Sequence, residues 1–129
     1  MPYYAHIRQD ENGETIYQTV AEHLTGTAAL CREFAADFGA EADGDLMGLA
    51  HDLGKCTDAF QKRLLEGGPV VDHTTAGMLT CIKMKRPSAA ACVAGHHGGL
   101  LDVGNLRTAR AGEATLSGRF KKGVEGHYL

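Results

Sequence analysis

The stretch Gly48-Leu49-Ala50-His51-Asp52-Leu53-Gly54-Lys55 places a histidine-aspartate doublet at the end of an apolar, helix-like segment. Adjacent residues of a helix point roughly 100° apart, so His51 and Asp52 cannot chelate one ion from a single face. They can serve two ions if the carboxylate of Asp52 bridges them. The doublet therefore predicts a binuclear metal cleft at the end of a helix.

Apolar residues recur at spacings of three and four on both sides of this doublet, which is typical of amphipathic helices. The spacing predicts five helices, over residues 19–38, 44–53, 57–65, 73–84 and 89–97. Gly54 is expected to end the second helix, Asp72 or Thr74 to cap the fourth, and Ser88 to cap the fifth. No alternating pattern is long enough for a central strand, although residues 14–17 could form a short one. The sequence predicts an all-α helical bundle.

The composition indicates one globular domain over residues 1–129. Hydrophobic residues make up 43% of the 129 residues and charged residues 22%, which is enough to build one core. From Gly98 onward glycines recur and the apolar periodicity fades, so residues 98–129 are predicted to be loop-rich or to form helices that need a partner surface. The first ten residues lack the features of a secretory signal and no long apolar run exists. We expect a cytoplasmic protein without a membrane partner.

Cysteines and charge constrain the function further. Cys31, Cys56, Cys81 and Cys92 form no C-x-x-C pair and are expected to be reduced thiols. The net charge of −3 is unusual for a protein that grips nucleic acid alone, so a partner is expected to deliver such a substrate. A local basic excess falls late in the chain, at Arg107, Arg110, Arg119, Lys121 and Lys122. We interpret that excess as a solvated tail.

Five of the seven histidines lie at the ends or on the faces of predicted helices: His23, His51, His73, His96 and His97. Singly, each is more often a core or surface residue than a ligand. Together they predict an imidazole-rich site for two divalent ions, Mn, Fe, Ni or Co rather than Mg. Such a pair of ions polarises a phosphoryl oxygen, makes hydroxide available near neutral pH and stabilises the leaving oxygen. The cluster therefore predicts phosphodiester hydrolysis.

Asp52 and Lys55 are the candidate catalytic residues. The ammonium of Lys55 can stand against a non-bridging phosphate oxygen. Alternatively, Lys55 is a lysine favoured at a helix C-terminus by the helix dipole. The Gly54-Lys55 pair is not a phosphate-binding P-loop, because no glycine stands five residues before Gly54.

An ordered series of motifs resembles the HD superfamily and, more closely, the HD nuclease domain of the CRISPR-associated helicase-nuclease of type I systems. The resemblance covers nearly all of residues 3–102. Its motifs are Tyr4-Ala5-His6, Glu22-His23-Leu24, the opening stretch around His51-Asp52, Val71-Asp72-His73-Thr74-Thr75-Ala76-Gly77 and Ala94-Gly95-His96-His97-Gly98-Gly99-Leu100.

The resemblance implies a nuclease that cuts single-stranded DNA in antiviral defence, with a CRISPR-associated helicase and a guide-RNA surveillance complex as partners. It implies that the first ion is held by His23, His51, Asp52 and a later aspartate. It implies that the second ion is held by Asp52, His73, His96 and His97. No aspartate follows Asp102. We therefore expect a truncated or split domain that lacks the later C-terminal helices and holds the first ion weakly.

Two other functions remain open on the sequence. One is a phosphohydrolase of the same superfamily that acts on nucleotides or cyclic dinucleotides. The other is a degenerate metal-binding module that only docks a helicase or a guide complex. For the residues outside the cluster, we expect a structural role for His6, a buried inert thiol at Cys56 and no specific role for His127.

Overall fold

A two-stranded hairpin opens the fold. In the computed structural model, which describes residues 2–123, β1 (Tyr4–Gln9) pairs antiparallel with β2 (Thr15–Thr19). The side chain of Asp10 accepts hydrogen bonds from the backbone N–H groups of Asn12 and Glu14, which shapes the turn. The second strand agrees with the short strand allowed by the sequence. The first was not predicted, because Ala5 is its only buried residue and the sequence carries little alternation.

A helical body follows the hairpin and confirms the predicted bundle. Within residues 2–123 the α-helices are α1 (Val20–Ala36), α2 (Glu41–Ala50), α3 (Asp58–Glu66), α4 (Thr75–Lys83), α5 (Pro87–Gly95) and α6 (Leu116–Lys122). A short 3₁₀ helix, Leu53–Cys56, joins α2 to α3. The first five are the predicted helices with small shifts at their ends. The sixth was given no bounds by the sequence and lies in the segment expected to be loop-rich or to form helices against a partner surface.

Local side-chain caps explain where several helices begin. Thr19 and Glu22 form a reciprocal capping box at the start of α1. At α4 the N-cap residue is Thr74, whose own side chain makes no capping bond; instead, Oδ1 of Asp72 accepts from the backbone N–H groups of Thr74 and Thr75 at 3.0 and 3.1 Å. Ser88 is not the cap of α5, since that helix begins one residue earlier, at Pro87.

The core is built from small side chains, which lets the helices approach closely. Its main cluster consists of Ala50, Met78, Cys81, Ala89, Ala90, Val93 and Ala94. Gly48 of α2 lies against the backbone of Ala28, and Gly77 of α4 lies against the carbonyl of Ala50, with no room for a β-carbon at either glycine. This close packing brings the end of α2, the start of α4 and the end of α5 to one side of the domain.

The hairpin docks onto the same side. Ala5, Val20 and Leu24 form a second buried cluster, packed against Leu53 and Cys56. The Gln61 side chain donates to the Tyr4 carbonyl at 2.9 Å and accepts from the Tyr4 N–H at 3.0 Å. These long-range contacts hold β1 beside the 3₁₀ helix.

The segment after α5 is mostly turns, yet it packs on the helical body. The backbone N–H groups of Leu116 and Ser117 donate to the carbonyls of Asp102 and Val103, both at 3.0 Å. His127 lies outside the described residues. As expected, none of the four cysteines forms a disulfide, and burial raises the pKa of the Cys56 thiol. Every helix within residues 2–123 is too short or too polar to span a bilayer.

Candidate metal centre

The six predicted metal ligands come from the ends of four helices and meet at one place. His23 lies in the first turn of α1, His51 caps the C-terminus of α2, and Asp52 precedes the 3₁₀ helix. His73 stands just before α4, and the His96-His97 doublet ends α5. Asp52 is at the centre of the group, with 3% of its surface exposed.

One carboxylate oxygen of Asp52 faces the histidines of α1 and α2. Its Oδ2 lies 2.9 Å from Nε2 of His23 and 3.3 Å from Nε2 of His51. The two imidazoles touch each other as well, with their Nε2 atoms 3.0 Å apart. This oxygen therefore belongs to the group predicted for the first ion.

The other oxygen of Asp52 faces the histidines of α4 and α5. Its Oδ1 lies 3.1 Å from Nε2 of His96 and 3.4 Å from Nε2 of His73. His97 joins through His73, because their Nε2 atoms are 2.8 Å apart. The carboxylate is thus divided between two imidazole groups, which is the arrangement that a bridging ligand requires.

Backbone carbonyls orient two of these imidazoles. Nδ1 of His51 donates to the Gly48 carbonyl at 2.7 Å, and Nδ1 of His96 donates to the Val93 carbonyl at 2.7 Å. With Nδ1 engaged in this way, Nε2 is the ring nitrogen that faces Asp52, and a metal ion bound there would take the Nε2 lone pair. Metal-binding histidines are commonly held by a hydrogen bond of this type. The donor set therefore fits a divalent cation.

The charges of the site also suit a cation. Burial raises the pKa of Asp52, but hydrogen bonds from His51, His96 and Lys55 outweigh burial and hold that pKa well below its ordinary value. Burial lowers the pKa of His23 and of His73, whereas the hydrogen bond to Asp52 raises the pKa of His96. The ionised carboxylate and the neutral forms favoured at His23 and His73 are the protonation states that bind metal, and a metal ion at His96 would displace its Nε2 proton.

Two sets of residues bring their donor atoms within 4.8 Å of one another. One set is Asp52, His73, His96 and His97, which is the group predicted for the second ion. The other set is His6, His23 and Asp52, with His51 in direct contact with the last two. Among the described residues, Asp52 is the only carboxylate in either set, so none of the later acids there completes the first group.

His6 belongs to the site although the sequence did not predict it as a ligand. A structural role was expected for it, but its ring packs edge-on to the ring of His23, with centroids 4.8 Å apart. Burial lowers the pKa of His6, and the nearby charge of Lys55 lowers it further. Its only sequence signal was the Tyr4-Ala5-His6 motif, whose position beside the cluster depends on how the hairpin docks.

Lys55 contacts the carboxylate at the centre of the site. Its Nζ lies 3.0 Å from Oδ2 of Asp52 and donates to the Ala5 carbonyl at 3.3 Å. The residue is 5% exposed. It lies in the 3₁₀ helix rather than at the end of an α-helix, so the helix-dipole alternative does not describe it. Its ammonium offsets the charge of Asp52, and contact with a phosphate oxygen stays a prediction.

The sequence predicted that Gly54 ends α2, and this prediction is wrong. Gly54 lies inside the 3₁₀ helix that follows α2. A β-carbon at this position would overlap the backbone of His73. The glycine is thus required by the close approach of the loop that carries His73.

Two grooves flank the cluster. The first, about 610 Å³, is lined by His6, Arg8, Ile16, Tyr17, Gln18 and Glu22. The second, about 480 Å³, lies on the other side; His73 and His97 line it together with Asp72, Thr74 and α6 residues. Both volumes fall within the roughly 300–1,000 Å³ that is common for ligand sites.

Fold and site together define a helical domain in which histidines from several helix ends surround one buried aspartate. Residues 20–118 match the HD domain family, and the chain belongs to this family. HD domains are in general metal-dependent phosphohydrolases, and the His/Asp cluster fits divalent metal binding. No curated protein matches the chain.

Proposed function

We propose that the protein is a metal-dependent nuclease that hydrolyses phosphodiester bonds of single-stranded DNA in cytoplasmic CRISPR defence. The observation that carries the proposal is the division of the Asp52 carboxylate, one oxygen facing His23 and His51 and the other facing His73 and His96. One carboxylate shared by two imidazole groups is the ligand pattern of a two-metal phosphodiesterase.

The ligands are assigned by the oxygen of Asp52 that each one faces. His6, His23, His51 and Asp52 would hold one ion, and Asp52, His73, His96 and His97 the other. The predominance of imidazole favours Mn, Fe, Ni or Co over Mg. Ions bound there would supply Lewis-acid activation of a phosphoryl oxygen and of a water molecule.

The chain's own residues prepare the site for an anionic substrate. The Gly48 and Val93 carbonyls fix the rings of His51 and His96, so that their Nε2 atoms are held in place before any substrate arrives. The Lys55 ammonium reduces the negative charge beside Asp52, and we assign Asp52 and Lys55 as the catalytic residues.

The two grooves support an extended strand over a small nucleotide. A strand that enters on the His6 side can pass over the cluster and leave on the His97 side. In the first groove the Tyr17 ring packs against the Tyr4 ring with centroids 4.9 Å apart, and Tyr17 is 50% exposed, which leaves part of its ring for a base, while Arg8 is available to a phosphate. Stacking on an aromatic ring combined with a cation is typical of proteins that bind single strands.

The overall charge supports delivery by partners. At −3, the chain lacks the general positive charge that drives unaided binding to nucleic acid. We assign the delivery of the strand to a CRISPR-associated helicase and a guide-RNA surveillance complex.

The test is hydrolysis of circular single-stranded DNA by the purified protein with added manganese, nickel or cobalt. Mononucleotides and cyclic dinucleotides serve as competing substrates, and the Asp52→Asn variant serves as a near-isosteric control. We expect the DNA circle to be cut, and the variant and a chelator each to abolish cutting. Faster hydrolysis of a cyclic dinucleotide would assign the protein to nucleotide metabolism. Bound metal without hydrolysis of any substrate would assign it to docking.

A further inference from the structure

The basic residues late in the chain are not uniformly a solvated tail. The fold returns this segment to the metal centre, and α6 forms one wall of the groove that begins at His73 and His97. Arg119 and Lys122 of α6 line that groove. Two of the five late basic residues therefore line the same groove as the imidazoles of His73 and His97.

Arg119 fixes the position of this wall. One nitrogen of its guanidinium donates to the Ala94 carbonyl at 2.7 Å and to the Thr74 hydroxyl at 3.2 Å. Thr74 is next to His73 in the chain, and Ala94 is two residues before His96. The guanidinium thus holds α6 against the two segments that carry His73 and His96, the histidines that face Oδ1 of Asp52.

Lys122 is the exposed cation of the groove, and its neighbour faces elsewhere. Lys121 donates from Nζ to the Ala109 carbonyl at 2.9 Å and does not line the groove. Adjacent residues of one helix, with the same charge, thus face different surroundings, which provides a matched pair for an experiment.

Two acids, Asp72 and Glu113, also line the groove. Both oxygens of Asp72 accept hydrogen bonds from Thr74 and Thr75. Glu113 is the other acid, and it accepts from the Thr115 hydroxyl at 3.1 Å. Because Glu113 is exposed in the groove, it would repel a phosphate there.

We propose that this groove binds the phosphodiester backbone of single-stranded DNA beside the cut, with Lys122 contacting one phosphate and Arg119 the next. The proposal rests on the nuclease function proposed above and names the substrate subsite on the His97 side. A backbone contact of this kind is electrostatic and independent of base sequence. It would set the register of the strand over the metal centre.

The experiment measures binding of fluorescently labelled oligothymidylate by anisotropy, in EDTA so that no cutting occurs, over a series of salt concentrations. The variants are Lys122→Gln, the matched control Lys121→Gln, and Glu113→Gln. We expect Lys122→Gln to weaken binding severalfold and to make the slope of log K against log salt shallower by about 0.7, the value for one phosphate contact on a single strand. Glu113→Gln should strengthen binding, and Lys121→Gln should leave it unchanged.

The outcomes separate this groove from the nuclease function. If Lys121→Gln and Lys122→Gln weaken oligothymidylate binding equally, the proposal that the groove binds DNA would be wrong. It would also be wrong if the wild-type protein bound no oligothymidylate. If the protein cuts DNA but Lys122→Gln binds oligothymidylate as tightly as the wild type, the proposed role of the groove would be wrong and the nuclease function would stand. Binding that depends on Lys122, in a protein that hydrolyses no DNA, would support the groove and overturn the nuclease function.

Discussion

Gly54 faces the backbone of His73 so closely that a β-carbon on residue 54 would overlap the His73 carbonyl. The glycine lies two residues after Asp52, and the histidine approaches the same carboxylate from the loop before α4. The backbone contact at residue 54 therefore sets how near the imidazole of His73 can come to Asp52. Nε2 of His73 lies 3.4 Å from Oδ1 of Asp52.

Replacing Gly54 by alanine should destabilise the domain and loosen the metal centre. The added methyl group must push the His73 loop away, at a cost of roughly 1–3 kcal/mol in the free energy of unfolding. Gly26→Ala is the matched control, because Gly26 lies on the exposed face of α1 with nothing within 4 Å of an added β-carbon. That control should gain up to about 1 kcal/mol from helix propensity. Chemical denaturation of both variants checks this, and equal effects would contradict it.

Asp52→Ala should abolish hydrolysis more completely than His23→Ala. Loss of Asp52 removes a ligand and a negative charge from both imidazole groups, whereas His23 faces only Oδ2. We expect the aspartate variant to lose at least ~100-fold in manganese affinity, beyond the 10–100-fold typical for residues that only support a ligand. Rates at saturating manganese measure the difference. Equal residual activity would mean that Asp52 does not bridge.

His6→Ala should weaken one manganese site and leave the other intact, because the donor atoms of His6 group with those of His23 and Asp52 and not with those of His73, His96 and His97. Arg8→Ala is the control, since Arg8 lies two residues further along β1 and lines the same groove. Titration calorimetry should show a loss of manganese affinity at the weaker site for the histidine variant and no change in affinity for the arginine variant. An unchanged titration of His6→Ala would remove His6 from the ligand set.

The site formed by Asp52, His73, His96 and His97 should fill at lower manganese concentration than the site on the other side. The Lys55 ammonium lies 3.0 Å from Oδ2, and it repels a cation that approaches that oxygen. In calorimetry the wild-type protein should therefore show one tight and one weak manganese site. Lys55→Met should reduce the difference in affinity between the two sites. Two equally tight sites in the wild type would contradict this order of filling.

The helical body and most of the cluster could be predicted from the sequence because their signals are local. Apolar spacing within each segment predicted α1 to α5, and the resemblance of the histidine motifs around His51-Asp52 to the HD superfamily implied which imidazoles share a centre. The assignment of two imidazole groups to one carboxylate was likewise implied by that resemblance, without any distances between the residues.

The remaining features depend on contacts between distant parts of the chain, and no local pattern encodes them. The hairpin is held by Lys55 to Ala5 and by Gln61 to Tyr4, pairs 50 and 57 residues apart, and these contacts bring His6 to the cluster. Arg119 reaches Thr74 across 45 residues, and this contact changes a basic tail into the wall of a groove. Side-chain chemistry was therefore readable from the sequence alone, while only the tertiary structure decided which exposed residues meet at the site, because packing between elements sets those distances.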